Sequence, residues 1–249
     1  ILVRRLALIF LTIMIMIILS ILGAKPFVAA IITILLVLAI YITVGLVMGK
    51  KRLSLLDNDC DPEAFLLKTE KQKEITGKNP KINAYLDINR AAALISLGEF
   101  EAAKDILLDI DKNRLSHKNN SLLAYTINLI SCLYELGEVH HAEELFETQI
   151  PILPPVNKSM TLAVNMLIGE RFFYLKRYSE SREHFTRLWN EKKLSMRYRL
   201  EIIYRLAQMD EQEGDEEAAF KKYKRVAEKG NKLWIAAKAR ERCEEMERR

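Results

Sequence analysis

Four histidines and three cysteines are the residues of this 249-residue chain best suited to metal or nucleophilic chemistry, and their spacing favours neither. His140 and His141 are adjacent, so a helix would point them ~100° apart, and no HExxH accompanies them. His140 and Glu144 stand at i, i+4 and could face each other, although a surface pair is the plainer reading. His117 falls in a polar loop and His184 is alone on a helix. Cys60, Cys132 and Cys243 are odd in number, far apart and without a CxxC, as expected of thiols kept reduced in a cytosol. Cys132, among Leu129, Ile130 and Leu133, reads as an inert buried thiol. Neither GxGxxG nor GxxxxGK[ST] occurs, so no loop is marked for phosphate. No catalytic, metal or cofactor-binding residue is therefore assigned, and an enzyme would need a cluster of His and carboxylates that only folding could assemble.

The elements that would position any site differ sharply along the chain. Residues 1–52 contain no acid, and Arg4, Arg5, Lys25, Lys50, Lys51 and Arg52 give them a charge of +6. The remaining residues carry 32 basic and 33 acidic side chains, a net of −1. The basic surplus thus sits on the apolar end, which argues against a nucleic-acid protein. Lysines and arginines of the last third (Lys221, Lys222, Lys224, Arg225, Lys229) alternate with acids and read as a solvated face.

Residues 6–24 and 26–49 form two uncharged apolar runs, about 28 and 36 Å long as helices against a hydrocarbon core of about 30 Å, with spans at about 6–24 and 26–48. A transmembrane hairpin over residues 1–52 is expected, turning at Gly23-Ala24-Lys25-Pro26. Five flanking cations against Lys25 alone predict that both termini are cytoplasmic and that the protein is a multi-pass resident of the cell membrane. A cleaved signal peptide and a pair of buried core helices are the rival readings. Lys50-Lys51-Arg52 could attract anionic headgroups, although topology explains them equally well. Gly45 and Gly49 have the small-xxx-small spacing of membrane-helix dimers and suggest a homo-oligomer. Residue 1 is Ile, which leaves the true start open. The short anchors lean bacterial.

Beyond residue 52 one pattern recurs. Leu97-Gly98-Glu99-Phe100-Glu101-Ala102-Ala103 is echoed by Leu136-Gly137-Glu138-Val139-His140-His141-Ala142. It returns as Leu175-Lys176-Arg177-Tyr178-Ser179-Glu180-Ser181 and as Glu213-Gly214-Asp215-Glu216-Glu217-Ala218-Ala219. The turn residues Gly98, Gly137, Lys176 and Gly214 are 39, 39 and 38 residues apart, a period that predicts a solenoid of helix pairs. Glycine ends a helix in the left-handed region without a Cβ penalty, so Lys176 should cost about 1 kcal/mol or force another turn. A small residue (Ala103, Ala142, Ser181, Ala219) and a larger one four further on (Leu107, Phe146, Phe185, Tyr223) would close each pair.

This alternation resembles the tetratricopeptide repeat. Ala91, Gly169 and Ala207 fall on that family's small residue of the first helix, Phe100 and Tyr178 on its post-turn aromatic, and Pro154 near its closing proline. Ile130, Val139, Glu216 and the spacing above the family's usual 34 depart from it; loops 113–120 and 151–158 would absorb the excess. The fold class expected is all-α: the membrane hairpin, a lead helix over 57–78 opened by Asp61-Pro62 and closed by Gly77 and Pro80, four helix pairs and a cap. The pairs lie at about 81–112, 119–150, 157–193 and 195–229, and the cap at 231–247, with Leu233, Trp234, Ala237 and Cys243 inward.

In that family the first helices line the concave face. The resemblance assigns to it Tyr85, Ile88, Asn89, Ala92, Ile127, Asn128, Ser131, Met166, Glu170, Phe173, Tyr204 and Gln208, although several could simply be core. The two-carboxylate clamp of chaperone-binding repeats is not reproduced. Its positions fall on Ile88, Ala92, Asn128, Ala163 and Leu167, of which Asn128 alone matches. The expectation is a membrane-anchored scaffold that binds an unidentified protein or peptide in this groove. A structural or self-associating subunit of a membrane complex is the alternative.

Overall fold

The structure, a computed structural model, describes residues 2–76 and 79–248, with the side chains of residues 2–8 outside that description. Among the described residues it is all-helical, with twelve α-helices and no strand. The chain divides into two units, Ile1–Leu53 and Ser54–Arg249.

The first unit holds α1 (Leu2–Ile21) and most of α2 (Pro26–Asp57). Gly23, at φ 78°, makes the turn, and the amides of Gly23 and Ala24 return to Ser20 and Leu19. The first helix therefore stops at Ile21 rather than 24, while the second continues to Asp57 because no breaker follows Arg52 until Asp59-Cys60. Two spans were expected. Among the described residues one helix, Pro26–Asp57, is long and apolar enough to cross a membrane, and Ile9–Ile21 is shorter than that. Arg4 and Arg5, two of the five flanking cations in the topology argument, lie outside the described side chains. Phe10, Ile21, Phe27 and Leu46 are each more than 60% exposed, whereas Ala29 and Thr33 are buried. So continuous an apolar surface calls for apolar surroundings.

The second unit begins with α3 (Pro62–Thr76), whose Asp61 caps it by accepting from the Ala64 amide at 3.0 Å. It starts later than the expected 57 because α2 runs on to Asp57 and residues 58–61 turn the chain between the two helices; Gly77, expected to close it, lies outside the described residues. Four hairpins follow: α4 (Pro80–Leu97) with α5 (Phe100–Leu108), α6 (Ser121–Glu135) with α7 (Val139–Gln149), α8 (Lys158–Tyr174) with α9 (Tyr178–Trp189), and α10 (Met196–Gln212) with α11 (Glu216–Lys229). Helix α12 (Trp234–Glu247) closes the unit. Besides the partners within each hairpin, α3 packs on α4, α4 on α6, α5 on α6, α6 on α8, α9 on α10 and α12 on α11.

The recurring turn has one backbone solution. Gly98, Gly137, Lys176 and Gly214 stand at φ 84°, 79°, 59° and 82°, and each second helix starts two residues later. Lys176 thus keeps the left-handed turn rather than replacing it. Lys176→Gly should relieve that strain and raise stability by about 1 kcal/mol, read as a higher denaturation midpoint at an unchanged slope. Past the turn, Ala103, Ala142, Ser181 and Ala219 are fully buried. Leu107, Phe146, Phe185 and Tyr223 are buried behind them. Ser181 also donates to the Gly169 carbonyl at 2.9 Å, tying α9 to α8.

The cap departs from expectation. It starts at Trp234, because residues 230–233 form a turn in which the Leu233 amide bonds the Gly230 carbonyl. Its buried residues are Ile235, Ala236 and Ala239; Ala237 is exposed and Cys243 and Trp234 are half-buried, so of the four named as inward only Leu233 is fully buried.

Candidate functional site

A cavity of about 120 Å³ lies where α4, α6, α8 and α10 face one another. Seven of the twelve residues assigned to the groove line it: Ala92 from α4, Ile127, Asn128 and Ser131 from α6, Met166 and Glu170 from α8, and Tyr204 from α10. Helical spacing explains the set, since 127, 128 and 131 and then 166 and 170 lie on one face of their helices. Ile127, Met166 and Tyr204 are buried, so the wall is largely core. The Asn128 amide reaches back to the Ile88 carbonyl at 3.3 Å, which fixes α6 against α4.

The other five lie elsewhere. Ile88 and Asn89 are buried, at 3% and 8% exposure, and the Asn89 amide nitrogen has no hydrogen-bond partner. Tyr85 is 42% exposed and does not line the cavity. Phe173 and Gln208 line a second cleft, of about 420 Å³, with Tyr178, Tyr223, Glu211 and the α12 residues Lys238, Glu241, Arg242 and Glu245. Tyr204 touches both spaces.

Charge organises the first cavity. Arg205, only 6% exposed, donates to Glu170 at 2.8 Å, to Gln208 at 2.9 Å, to the Tyr174 hydroxyl at 2.7 Å and to Glu135. Its guanidinium also lies 4.8 Å from the Phe173 ring centre and 5.1 Å from that of Tyr174, a cation–π setting. About two turns back along α10, Arg197 binds Glu201 at 2.9 Å and Asp57 at 3.1 Å, over the Tyr198 ring. Four carboxylates therefore share two arginines. Burial pushes the Glu170 carboxyl up to about 7; Arg205 opposes this, and the neighbouring Glu135 and Glu201 reinforce it. Burial raises Glu201 as well.

A carboxyl raised in the fold favours the folded state while protonated, and that contribution is lost as pH climbs from the ordinary carboxylate range through 7. Glu170→Gln removes this term, leaving Arg205, Glu135, Glu201 and Tyr174 around the amide. The difference in thermal midpoint, variant minus wild type, should therefore increase between pH 5 and pH 8. A constant difference would mean that Glu170 is ionised throughout.

Sequence reasoning missed both arginines. Arg205 stands next to Tyr204 and three residues before Gln208, both of which were assigned, but the family pattern offered no reason to turn that far around α10. The wall also includes Leu233, Trp234 and Ile235, which come from the cap and not from a first helix.

The residues considered for chemistry remain apart. His140, His141 and Glu144 are exposed, with His141 3.7 Å from Glu138. His184 is half-buried against the Asn165 carbonyl at 2.8 Å, and burial lowers its pKa. Cys60, Cys132 and Cys243 are free thiols; burial pushes Cys132 up to about 12 and Cys60 to about 11, which makes them poor nucleophiles. Among the described residues no three His, Cys, Asp or Glu are grouped to hold a metal ion. No protein-family model, curated protein or solved structure matches this chain.

Proposed function

We propose that the chain is a membrane-anchored scaffold of tetratricopeptide-like helix pairs, which recruits a protein or peptide through the face formed by α4, α6, α8 and α10. It performs no chemistry of its own. The observation that carries this reading is the convergence of side chains from all four of these helices on one cavity. The repeat assignment is supported by four left-handed turn residues at nearly constant spacing, each leading to a fully buried small residue. The anchor is the apolar hairpin, inserted as two spans with both termini cytoplasmic, in keeping with the cations that flank it. Tethering raises the local concentration of the scaffold, so a micromolar contact (about −8 kcal/mol) suffices for recruitment.

Proximity labelling with the native chain and with Ser131→Leu, which fills the cavity, tests the reading. Loss of a defined subset of labelled proteins is expected. Identical sets from both chains would remove this face from the account.

Self-association is a second reading. Gly45 and Gly49 have nothing within 4 Å of where a Cβ would stand, which leaves room for a close helix partner. Light scattering in detergent over a range of concentrations decides it: a monomer throughout excludes the dimer.

A further inference from the structure

The cap's first turn reaches across the second unit to its beginning. The Asn231 side-chain amide donates to the Asp59 carbonyl at 2.8 Å, 172 residues away, and the Lys232 amide to the Cys60 carbonyl at 3.2 Å. The Lys232 ammonium lies 2.8 Å from Glu63 and 3.4 Å from Asp61. Leu233 and Ile235 are buried at 2% and 3% exposure, in one apolar cluster with Cys60, Leu200 and Tyr204. Trp234 sets its ring edge-on to Phe100 at 5.4 Å and to Tyr204 at 5.6 Å. Glycine at residue 98 lets it sit this close, since a Cβ there would lie 3.0 Å from the Trp234 Cβ and the indole would have to shift by a few tenths of an ångström. The same three residues close the wall of the cavity.

This joint has the marks of one that opens. Both of its segments hold a non-glycine residue in the left-handed region, Cys60 at φ 52° and Asn231 at φ 47°; asparagine adopts this conformation readily, but for cysteine it is unfavourable. Its ion pairs are at the surface, with Lys232 45% and Glu63 60% exposed, where such pairs contribute little. The receiving segment also carries three acids, Asp59, Asp61 and Glu63, against the single cation Lys232.

We propose that the surface covered by Leu233-Trp234-Ile235 is the docking surface for a partner, and that the cap's first turn is a releasable latch over it. The partner presents the same chemistry: a basic residue followed by an aliphatic–aromatic–aliphatic triplet. This rests on the scaffold reading and adds to it which segment the partner must displace.

The test uses the full chain in detergent with Cys243→Ser. Cys60, 1% exposed, lies under the latch, and Cys132, fully buried in the cluster shared by α4 and α6, reports on global opening. With each thiol's maleimide labelling normalised to its rate in denaturant, Cys60 should react at least tenfold faster than Cys132. Trp234→Ala should accelerate Cys60 without accelerating Cys132. A fluorescein-labelled peptide of residues 229–238 should bind the Trp234→Ala chain at least tenfold more tightly than the native one. Equal rates for the two thiols in the native chain, or equal peptide affinity for both chains, would overturn the proposal. Should Trp234→Ala fail to fold, Trp234→Leu, which keeps an apolar side chain but loses the ring contacts to Phe100 and Tyr204, carries the same comparisons. Thiol rates are read without any cellular partner, so failure of the latch is separable from failure of the scaffold reading, which the Ser131→Leu labelling sets decide.

Discussion

Replacing Arg205 by alanine should lower stability by about 3–5 kcal/mol, the range found when one partner of a buried ion pair is removed. The reason is what remains behind. Glu170 and Glu135, each with 18% of its side chain exposed, would face one another across the cavity with no cation between them. Tyr174 would lose the donor to its hydroxyl. Lysine at 205 should rescue only part of this, because an ammonium cannot reproduce the guanidinium's fork toward two carboxylates and a hydroxyl. The decisive control changes all three charges, as Arg205→Met with Glu135→Leu and Glu170→Leu. If orphaned carboxylates are the cost, the triple variant should recover most of the loss, since apolar replacements of buried ion pairs are often neutral or better. Urea denaturation of the four chains checks it, and a triple variant no better than Arg205→Ala would assign the loss to packing around the arginine stem.

The second large effect is expected at Gly169. A Cβ on this residue would meet the Phe185 ring at 2.3 to 2.7 Å. Phe185 is fully buried, so its ring cannot swing aside, and α8 and α9 are pinned together here by the Ser181–Gly169 bond. Gly169→Ala should therefore cost about 1–3 kcal/mol as overpacking, even though alanine is the better helix former by about 1 kcal/mol. Phe185→Leu in the same chain should return part of that cost. A double-mutant cycle measures the coupling, expected between about 0.5 and 3 kcal/mol for residues in contact. Additive effects would show that the backbone, not the ring, absorbs the added methyl.

Much of this architecture is written in local pattern. The hairpins are legible because helix periodicity, the residue that must turn left-handed and the small residue five positions later all act within a dozen positions. Gly98, Gly137 and Gly214 announced their turns by type. Lys176 announced its own only by its place in the period, and the fold holds it there against its preference. The candidate site was legible as a set of faces, because residues such as Asn128 and Ser131 share a helix side whatever surrounds them. Its depth was not. Ile88 and Asn89 share a face with Ala92 by spacing, and whether they line a cavity or fill the core depends on how closely the neighbouring helix approaches.

By itself the sequence determined the division into an acid-free apolar end and a charge-balanced helical remainder, and where the four hairpins turn. These follow from composition and from interactions between near neighbours. Only the tertiary structure decided that Arg205 joins Glu135 and Glu170, 70 and 35 residues away, and that Trp234 lines the cavity. It also rotated α12 so that Ile235, Ala236 and Ala239 face inward. Pairings at such separations depend on how successive hairpins pack on one another, which no single segment of the chain encodes.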